Sequence, residues 1–240
     1  MTTLSNSNIS SARAWQTRRV LQKIRDGVFS TYELWRLKQT PFVIISNNCW
    51  GYELYSSTRR EYNTPFIGLF MKPESYLKFL EGFDKYISAE LNFVSQSKQG
   101  LQPKPYPVGT LGDDIEIHFL HYASEKEARE KWNRRVSRLK LALESGAELY
   151  VKLCDCENCT TGQLARFHKL PFKNKLSIGL LEFKHTHHLQ VPNLRNKDTH
   201  SLIDGARLFK KRYSYFDITG WLRTGKIKRS FVSRTFSLIS

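Results

Sequence analysis

Short β-branched runs alternate along this chain with stretches of helical periodicity. Residues 41–46 (Pro-Phe-Val-Ile-Ile-Ser) form the kind of apolar run that makes a buried strand. A second apolar segment, residues 65–70, follows a turn at Asn63-Thr64. Pro73 opens a helix whose apolar stripe is Tyr76, Leu77, Leu80 and Phe83. Residues 114–120 put Ile115, Ile117 and Phe119 on one face and predict a strand. Ser124 and Glu127 make a capping box that starts a long helix. Its inward stripe is Ala128, Trp132, Val136, Leu139 and Leu143, its outer side carries Arg134 and Arg138, and Gly146 stops it. Residues 147–153 read as a strand, Thr160 or Thr161 caps a helix running through Arg166, and residues 176–183 read as a further strand. Residues 11–26 suit a basic amphipathic helix ended by Asp26-Gly27. The Ser/Asn-rich residues 1–10 predict disorder, and residues 95–107, with three prolines, a loop. There is no internal repeat.

Strands alternating with helices at these spacings predict an α/β fold with a mainly parallel sheet, a single domain over residues 11–205 followed by a basic tail, 206–240. Ligands of such sheets sit beyond the carboxyl ends of the strands. Four predicted strands run into chemically rich segments. These are Asn47-Asn48-Cys49-Trp50-Gly51, His121-Tyr122, Cys154-Asp155-Cys156, and the loop holding His185, His187 and His188. If all four strands are parallel, these segments meet on one rim.

Composition narrows the class. The 240 residues hold 38 Lys+Arg against 22 Asp+Glu, a net charge of +16, with 40% hydrophobic residues. That content excludes a wholly disordered chain, and the lack of a long uncharged apolar run argues against a membrane span. Residues 1–12 lack the apolar core of a secretory signal, which points to a reducing, cytoplasmic setting with free thiols. Residues 207–240 carry nine Lys/Arg and one acid, Asp217, and residues 13–25 interleave Trp15, Val20, Leu21 and Ile24 with Arg18, Arg19 and Lys23. Such ends attract polyanions, and the aromatic interleaving favours an anionic membrane surface at the inner face. No zinc-finger spacing, ribonucleoprotein signature or helix-turn-helix appears, so nucleic acid is not the favoured partner.

Cys49, at a strand end, is a candidate nucleophile, and His121 its candidate general base. His118, within the strand, is the rival imidazole. Asn47, Asn48 and neighbouring amides are candidate oxyanion or substrate contacts, with Trp50 beside them. Asp113 or Asp114 could orient an imidazole or a sugar hydroxyl. Cys154, Cys156 and Cys159 form one compact trio without the second pair that structural zinc usually uses, so no metal and no cofactor are expected. The bland alternative makes Cys49 a small buried hydrophobe and His121 a structural residue.

Residues 44–51 (Ile-Ile-Ser-Asn-Asn-Cys-Trp-Gly) resemble a bacterial family of unknown function associated with exopolysaccharide or capsule biosynthesis. The resemblance continues through residues 62–70, 106–109, 114–122, 127–135 and 166–171, and covers about residues 38–190. It implies a three-layer α/β/α sandwich and a setting in surface-polysaccharide assembly. A more distant pattern, Cys…Pro-Phe…His…Arg-Arg, is similar to a family of papain-like cysteine peptidases. Onto it Cys49 and His121 map as nucleophile and base, and Arg134 and Arg135 as a basic pair on the following helix. Where that pattern has Pro-Phe-Asp-Trp, this chain has Pro65-Phe-Ile-Gly68 and no acid. The resemblance implies no established reaction; together with the convergence of these residues at strand ends, the polysaccharide setting leads to the expectation of a transferase or hydrolase acting on a nucleotide- or lipid-linked sugar at the cytoplasmic membrane face, with Arg134 and Arg135 as phosphate contacts. The alternative is a non-catalytic carbohydrate-binding or membrane-surface scaffold.

Overall fold

The computed structural model describes residues 4–99, 106–156 and 158–239. The chain is an α/β protein built on a four-stranded parallel sheet. Its strands are β1 (Phe42–Ser46), β5 (Glu148–Cys154), β6 (Asn174–Gly179) and β7 (His188–Gln190), in the spatial order β1-β5-β6-β7. Phe42 pairs with Glu148 and Ser46 with Lys152, which fixes the β1–β5 register. All five residues of β1 and all six of β6 are buried, as expected where helices cover both faces.

Alternating side chains feed two cores. Val43, Ile45, Val151 and Leu153 face one layer, formed with α3 (Pro73–Glu81), α4 (Phe83–Ile87), α5 (Glu125–Glu144) and α6 (Thr161–Lys169). Phe42, Ile44, Tyr150, Leu176 and Ile178 face the other, formed with α1 (Leu4–Leu37), α2 (Tyr52–Ser57) and the C-terminal helices. Local signals set these helices. Pro73 occupies the first turn of α3. Ser124 accepts the Glu127 N–H while Glu127 Oε2 accepts the Ala123 N–H at 2.8 Å, starting α5. Thr160 and Gln163 make the reciprocal cap of α6.

Several expectations from the sequence are corrected. The strand expected over 114–120 is β4 (Ile115–His118), and it belongs to a second, antiparallel sheet with β2 (Leu91–Val94) and β3 (Val108–Leu111). Only residues 112–114 separate β3 from β4, with Gly112 at φ +61°, so the chain turns back as a hairpin with no room for a crossover. Residues 65–70 form no strand; Phe70 makes a single bridge to His118. The helix expected over 11–26 extends to Leu37, because Phe29, Glu33 and Leu37 recur at four-residue spacing on a buried edge. Leu4 to Ser10, expected to be disordered, are the start of α1, and residues 1–3 lie outside the described residues.

The last correction concerns residues 206–240. Rather than a tail, they fold as α7 (Gly205–Lys210), α8 (Arg212–Tyr215), α9 (Ile218–Thr224) and α10 (Phe231–Ser237). Leu208, Phe209, Tyr213, Phe216, Ile218 and Trp221 are fully buried in the second core. The basic side chains lie between these apolar positions, so a count of charge conceals an amphipathic pattern. A buried ion pair fastens this segment to α1. Glu33, at 0% exposure, accepts from Arg212 Nε at 2.6 Å, from Tyr213 Oη at 3.0 Å and, through its other oxygen, from Ser57 Oγ at 2.7 Å. Removing one partner of such a pair strands the other charge in the interior. The Glu33→Ala variant is therefore expected to lose about 3–5 kcal/mol of folding free energy in urea unfolding, with Glu33→Gln intermediate. A loss under about 1 kcal/mol would mean that the pair is solvated.

Candidate site at the carboxyl rim of the parallel sheet

β1 does not stop cleanly at Ser46, because the next side chain imitates a strand residue. Asn47 Oδ1 accepts the Cys154 N–H at 3.0 Å, and its Nδ2 donates to the Cys154 carbonyl at 3.3 Å. Asn47 is almost fully buried and carries the β1–β5 pairing one step further. The chain then turns through residues 48–51, with Gly51 at φ +90°. Inside the turn, Asn48 Oδ1 accepts from Trp50 N–H at 3.2 Å and from Lys152 Nζ at 3.1 Å. Its Nδ2 donates to Cys154 Sγ at 2.9 Å. Two obligate donors on one side fix which end of the amide is oxygen. The N-terminus of α7 seats on this turn: a Cβ at Gly205 would lie 2.5 Å from Asn48 Oδ1.

Lys152 is the unusual member of the site. It sits on the same strand face as Tyr150 and Cys154 and is fully buried, its ammonium 5.6 Å from the Trp50 ring centre. Among the described residues no carboxylate lies within ion-pair distance of it. The neighbouring thiol supplies the compensation. Burial alone would push Cys154 up, but the hydrogen bond from the Cys156 thiol, the Lys152 charge and the Cys156 N–H outweigh it and bring Cys154 down to about 6. Cys156 is held protonated, first by that same hydrogen bond and then by burial. Between them, Asp155 Oδ2 accepts the Leu180 N–H at 2.5 Å and the Leu181 N–H at 2.8 Å. Burial raises its pKa against those amides. A Cβ at Gly179 would lie 2.2 Å from the Asp155 carboxylate, so only glycine fits there.

Cys49 lies within this turn and is half-buried. Its Sγ points at the Leu69 carbonyl, 3.7 Å away. Burial pushes the thiol up and Asp204 adds to that, while the Gly68 N–H and Lys152 pull it down; the net shift is upward. His121 is exposed and borders the same segment. Its backbone N–H donates to the Gly68 carbonyl at 3.0 Å, and a Cβ at Gly68 would lie 3.3 Å from His121 Cβ and 3.1 Å from the Tyr122 ring. Gly68 has φ +74°. Cys49 and His121 thus both border the Gly68–Leu69 segment, with no hydrogen bond joining sulfur and imidazole among the described residues. Tyr122 and Arg135 hold that stretch in place. Tyr122 Oη donates to the Ile67 carbonyl at 2.6 Å and accepts from Arg135 Nη1 at 2.6 Å.

The rim expected from four parallel strands is therefore built by β1 and β5, with the segment after β6 behind Asp155. His121 arrives from the antiparallel sheet, by way of Gly68. Other expected members lie elsewhere or are sealed. Trp50 is buried, with Nε1 donating to Tyr215 Oη at 3.1 Å. His118 is fully buried, its Nε2 3.0 Å from Glu116 Oε1 and its ring stacked on Phe70. Asp113 and Asp114 sit in the β3–β4 turn, at the end of β4 opposite His121, where Asp114 accepts from Tyr86 Oη. Arg134 is exposed on α5, and Arg135 is spent on Tyr122. Sequence reasoning missed Lys152, whose signal is a lone lysine inside Leu-Tyr-Val-Lys-Leu-Cys, and Asp204, which the fold brings towards Cys49.

The histidine loop is a hydrogen-bonded stack. His188 Nε2 donates to the Leu181 carbonyl at 3.0 Å, so its Nδ1 accepts from Ser177 Oγ at 2.7 Å, and Ser177 Oγ accepts from His168 Nε2 at 2.8 Å. The His168 ring stacks on His185 at 3.8 Å, and burial lowers His168 to about 3. Among the described residues no group of three or more His, Cys, Asp or Glu is placed to hold a metal ion.

Comparison with known proteins gives two matches. The family described as a domain of unknown function (DUF1919) matches residues 20–223. An uncharacterized protein of Haemophilus influenzae is 33% identical over 189 residues, which cover 78% of this chain and 86% of that protein.

The rim electrostatics have a direct readout. Ultraviolet thiolate absorbance is expected to show one thiolate appearing through a midpoint near 6, since the Cys154 thiolate is favoured above that pH and protonated below it. Lys152→Met is expected to move the midpoint upward. Four thiols that all titrate at or above the ordinary thiol range would show that Cys154 and Lys152 do not form a pair.

Proposed function

The chain belongs to the DUF1919 family, and on that premise we propose that its rim acts on a nucleotide- or lipid-linked sugar in exopolysaccharide or capsule assembly, as a transferase or hydrolase. The family's description assigns no reaction. The polysaccharide setting rests on the sequence resemblance of residues 38–190. The chemistry rests on one observation: Cys49 Sγ faces the Leu69 carbonyl at 3.7 Å and the His121 backbone N–H donates to the Gly68 carbonyl at 3.0 Å, so both residues border the same short segment.

In this reading Cys49 transfers its proton to the His121 imidazole as the sulfur attacks the acyl, phosphoryl or glycosyl centre of the donor. The bond to the nucleotide or lipid carrier breaks, and the imidazolium returns the proton to the departing oxygen. Water or an acceptor hydroxyl then attacks the thio-linked intermediate, losing its proton to His121, and the thiol is reprotonated as the sulfur leaves. Burial and Asp204 favour the neutral thiol at rest, and the catalytic contacts of unliganded sites are commonly loose. Asn47 and Asn48 contribute by fixing the turn that presents Cys49. Arg135 is a positioning residue acting through Tyr122.

The upward shift of the Cys49 thiol favours a second reading, in which the rim binds a saccharide without reacting. Polymer yield in a strand-complementation format separates the two: a bacterial strain lacking the gene is supplied with Cys49→Ala or His121→Ala. The enzyme reading expects each variant to accumulate as folded protein and to lose activity by about 10²-fold or more. Full polymer production by folded Cys49→Ala would overturn the covalent mechanism and leave the binding role.

A further inference from the structure

The edge of α1 that packs on the body is Phe29, Glu33 and Leu37; the side facing away from it is apolar and uncovered. Val20, Leu21, Ile24, Val28 and Trp35 fall on one side there, with Leu21, Ile24, Val28 and Trp35 spaced by three, four and seven residues, and Trp35 is 70% exposed. Exposed apolar residues scattered singly need no explanation, but a continuous stripe marks a contact surface. The other end of the chain comes to the same place. Phe236 of α10 stacks on Phe29 at 4.7 Å and, with Ile24, Val28 and Trp35, lines a shallow apolar groove. Beyond the groove, Phe231 and Leu238 are each 84% exposed.

Charge decides what covers this surface. Arg19 and Lys23 are exposed on α1, and residues 218–239 carry five Lys/Arg with no Asp or Glu. The two acids of α1's described stretch are engaged, Asp26 by Arg25 at 2.8 Å and Glu33 by Arg212. A second copy of the chain would set like charges against one another, whereas anionic headgroups neutralise them while the stripe enters the acyl boundary. No helix among the described residues is long and apolar enough to cross a membrane, so the contact is with the surface.

We propose that α1 and α10 together form a docking face for an anionic phospholipid bilayer, the sequence-distant ends of the chain supplying one apolar strip with a basic rim. This surface is independent of the rim chemistry at Cys49 and stands or falls apart from it.

The test is flotation of the full-length chain with vesicles of phosphatidylglycerol mixed into phosphatidylcholine, against pure phosphatidylcholine. Binding is expected to be at least about tenfold tighter to the anionic vesicles and to weaken as salt is raised. The paired variant Trp35→Ser/Phe231→Ser leaves the charge unchanged and, being exposed, the fold intact by circular dichroism. It is expected to bind the same vesicles several-fold less tightly. Equal binding to neutral vesicles, or no binding to anionic ones, overturns the proposal. So does a dimer in sedimentation equilibrium that Trp35→Ser dissociates, which would make the face a contact between copies. Binding to RNA as tight as to vesicles, with the paired variant unaffected, would likewise reduce the surface to undirected electrostatics.

Discussion

The side-chain amide of Asn48 is the group on which the rim depends. One end accepts from the Lys152 ammonium and the Trp50 N–H, and the other donates to Cys154. An ammonium moved out of water costs several kcal/mol unless polar partners and opposite charge recover it. Here the contacts are an amide oxygen and an aromatic face rather than a carboxylate, with the lowered pKa of the Cys154 thiol adding to them. The arrangement couples the turn to the strand: whatever moves Asn48 also unseats Lys152, and with it the charge that stabilises Cys154. Cys49, the next residue in the chain, inherits its position from that amide.

The C-terminal helices complete the same region. Gly205 lies so close to Asn48 that a methyl group could not be accommodated, and Asp204 beside it contributes to the electrostatics of Cys49. The segment reaches this position because its apolar residues fill the second core and because Glu33 holds Arg212 and Tyr213 against α1. On the other side of the sheet, Tyr122 and Arg135 fix the Gly68–Leu69 stretch from α5 and the end of the antiparallel sheet. Both faces of the α/β core thus converge on a few residues at one edge.

Much of the parallel sheet was legible in the sequence. The β-branched run 42–46 and the strand expected over 147–153 announce themselves because strands covered on both faces read as apolar stretches, whereas the strand expected over 176–183 lies at Asn174–Gly179, where only Leu176 and Ile178 are apolar side chains of any size. Helices α5 and α6 were marked by their capping residues. The placement of β4 was not legible, because alternation at Ile115 and Ile117 identifies a strand but not its partner. The partner strand β3 is four residues containing one glycine, too short to register. The C-terminal helices were hidden by their own lysines and arginines. At the site, Cys49 and His121 were visible as residues at strand ends. The buried role of His118 and the use of Arg135 as a strut depend on neighbours distant in sequence, which no local pattern records.

The central claim is that the Cys49 sulfur and the His121 imidazole, on residues that border the same Gly68–Leu69 segment, work as neighbours in one site. Proton NMR of the His121 ring, before and after Cys49 is blocked with a small charged alkylating group, measures that proximity directly. The His121 ring resonances are expected to move on blocking, because a charge within a few ångströms changes the field at the ring. Superimposable ring spectra in the two forms would place the groups in separate environments and contradict the account.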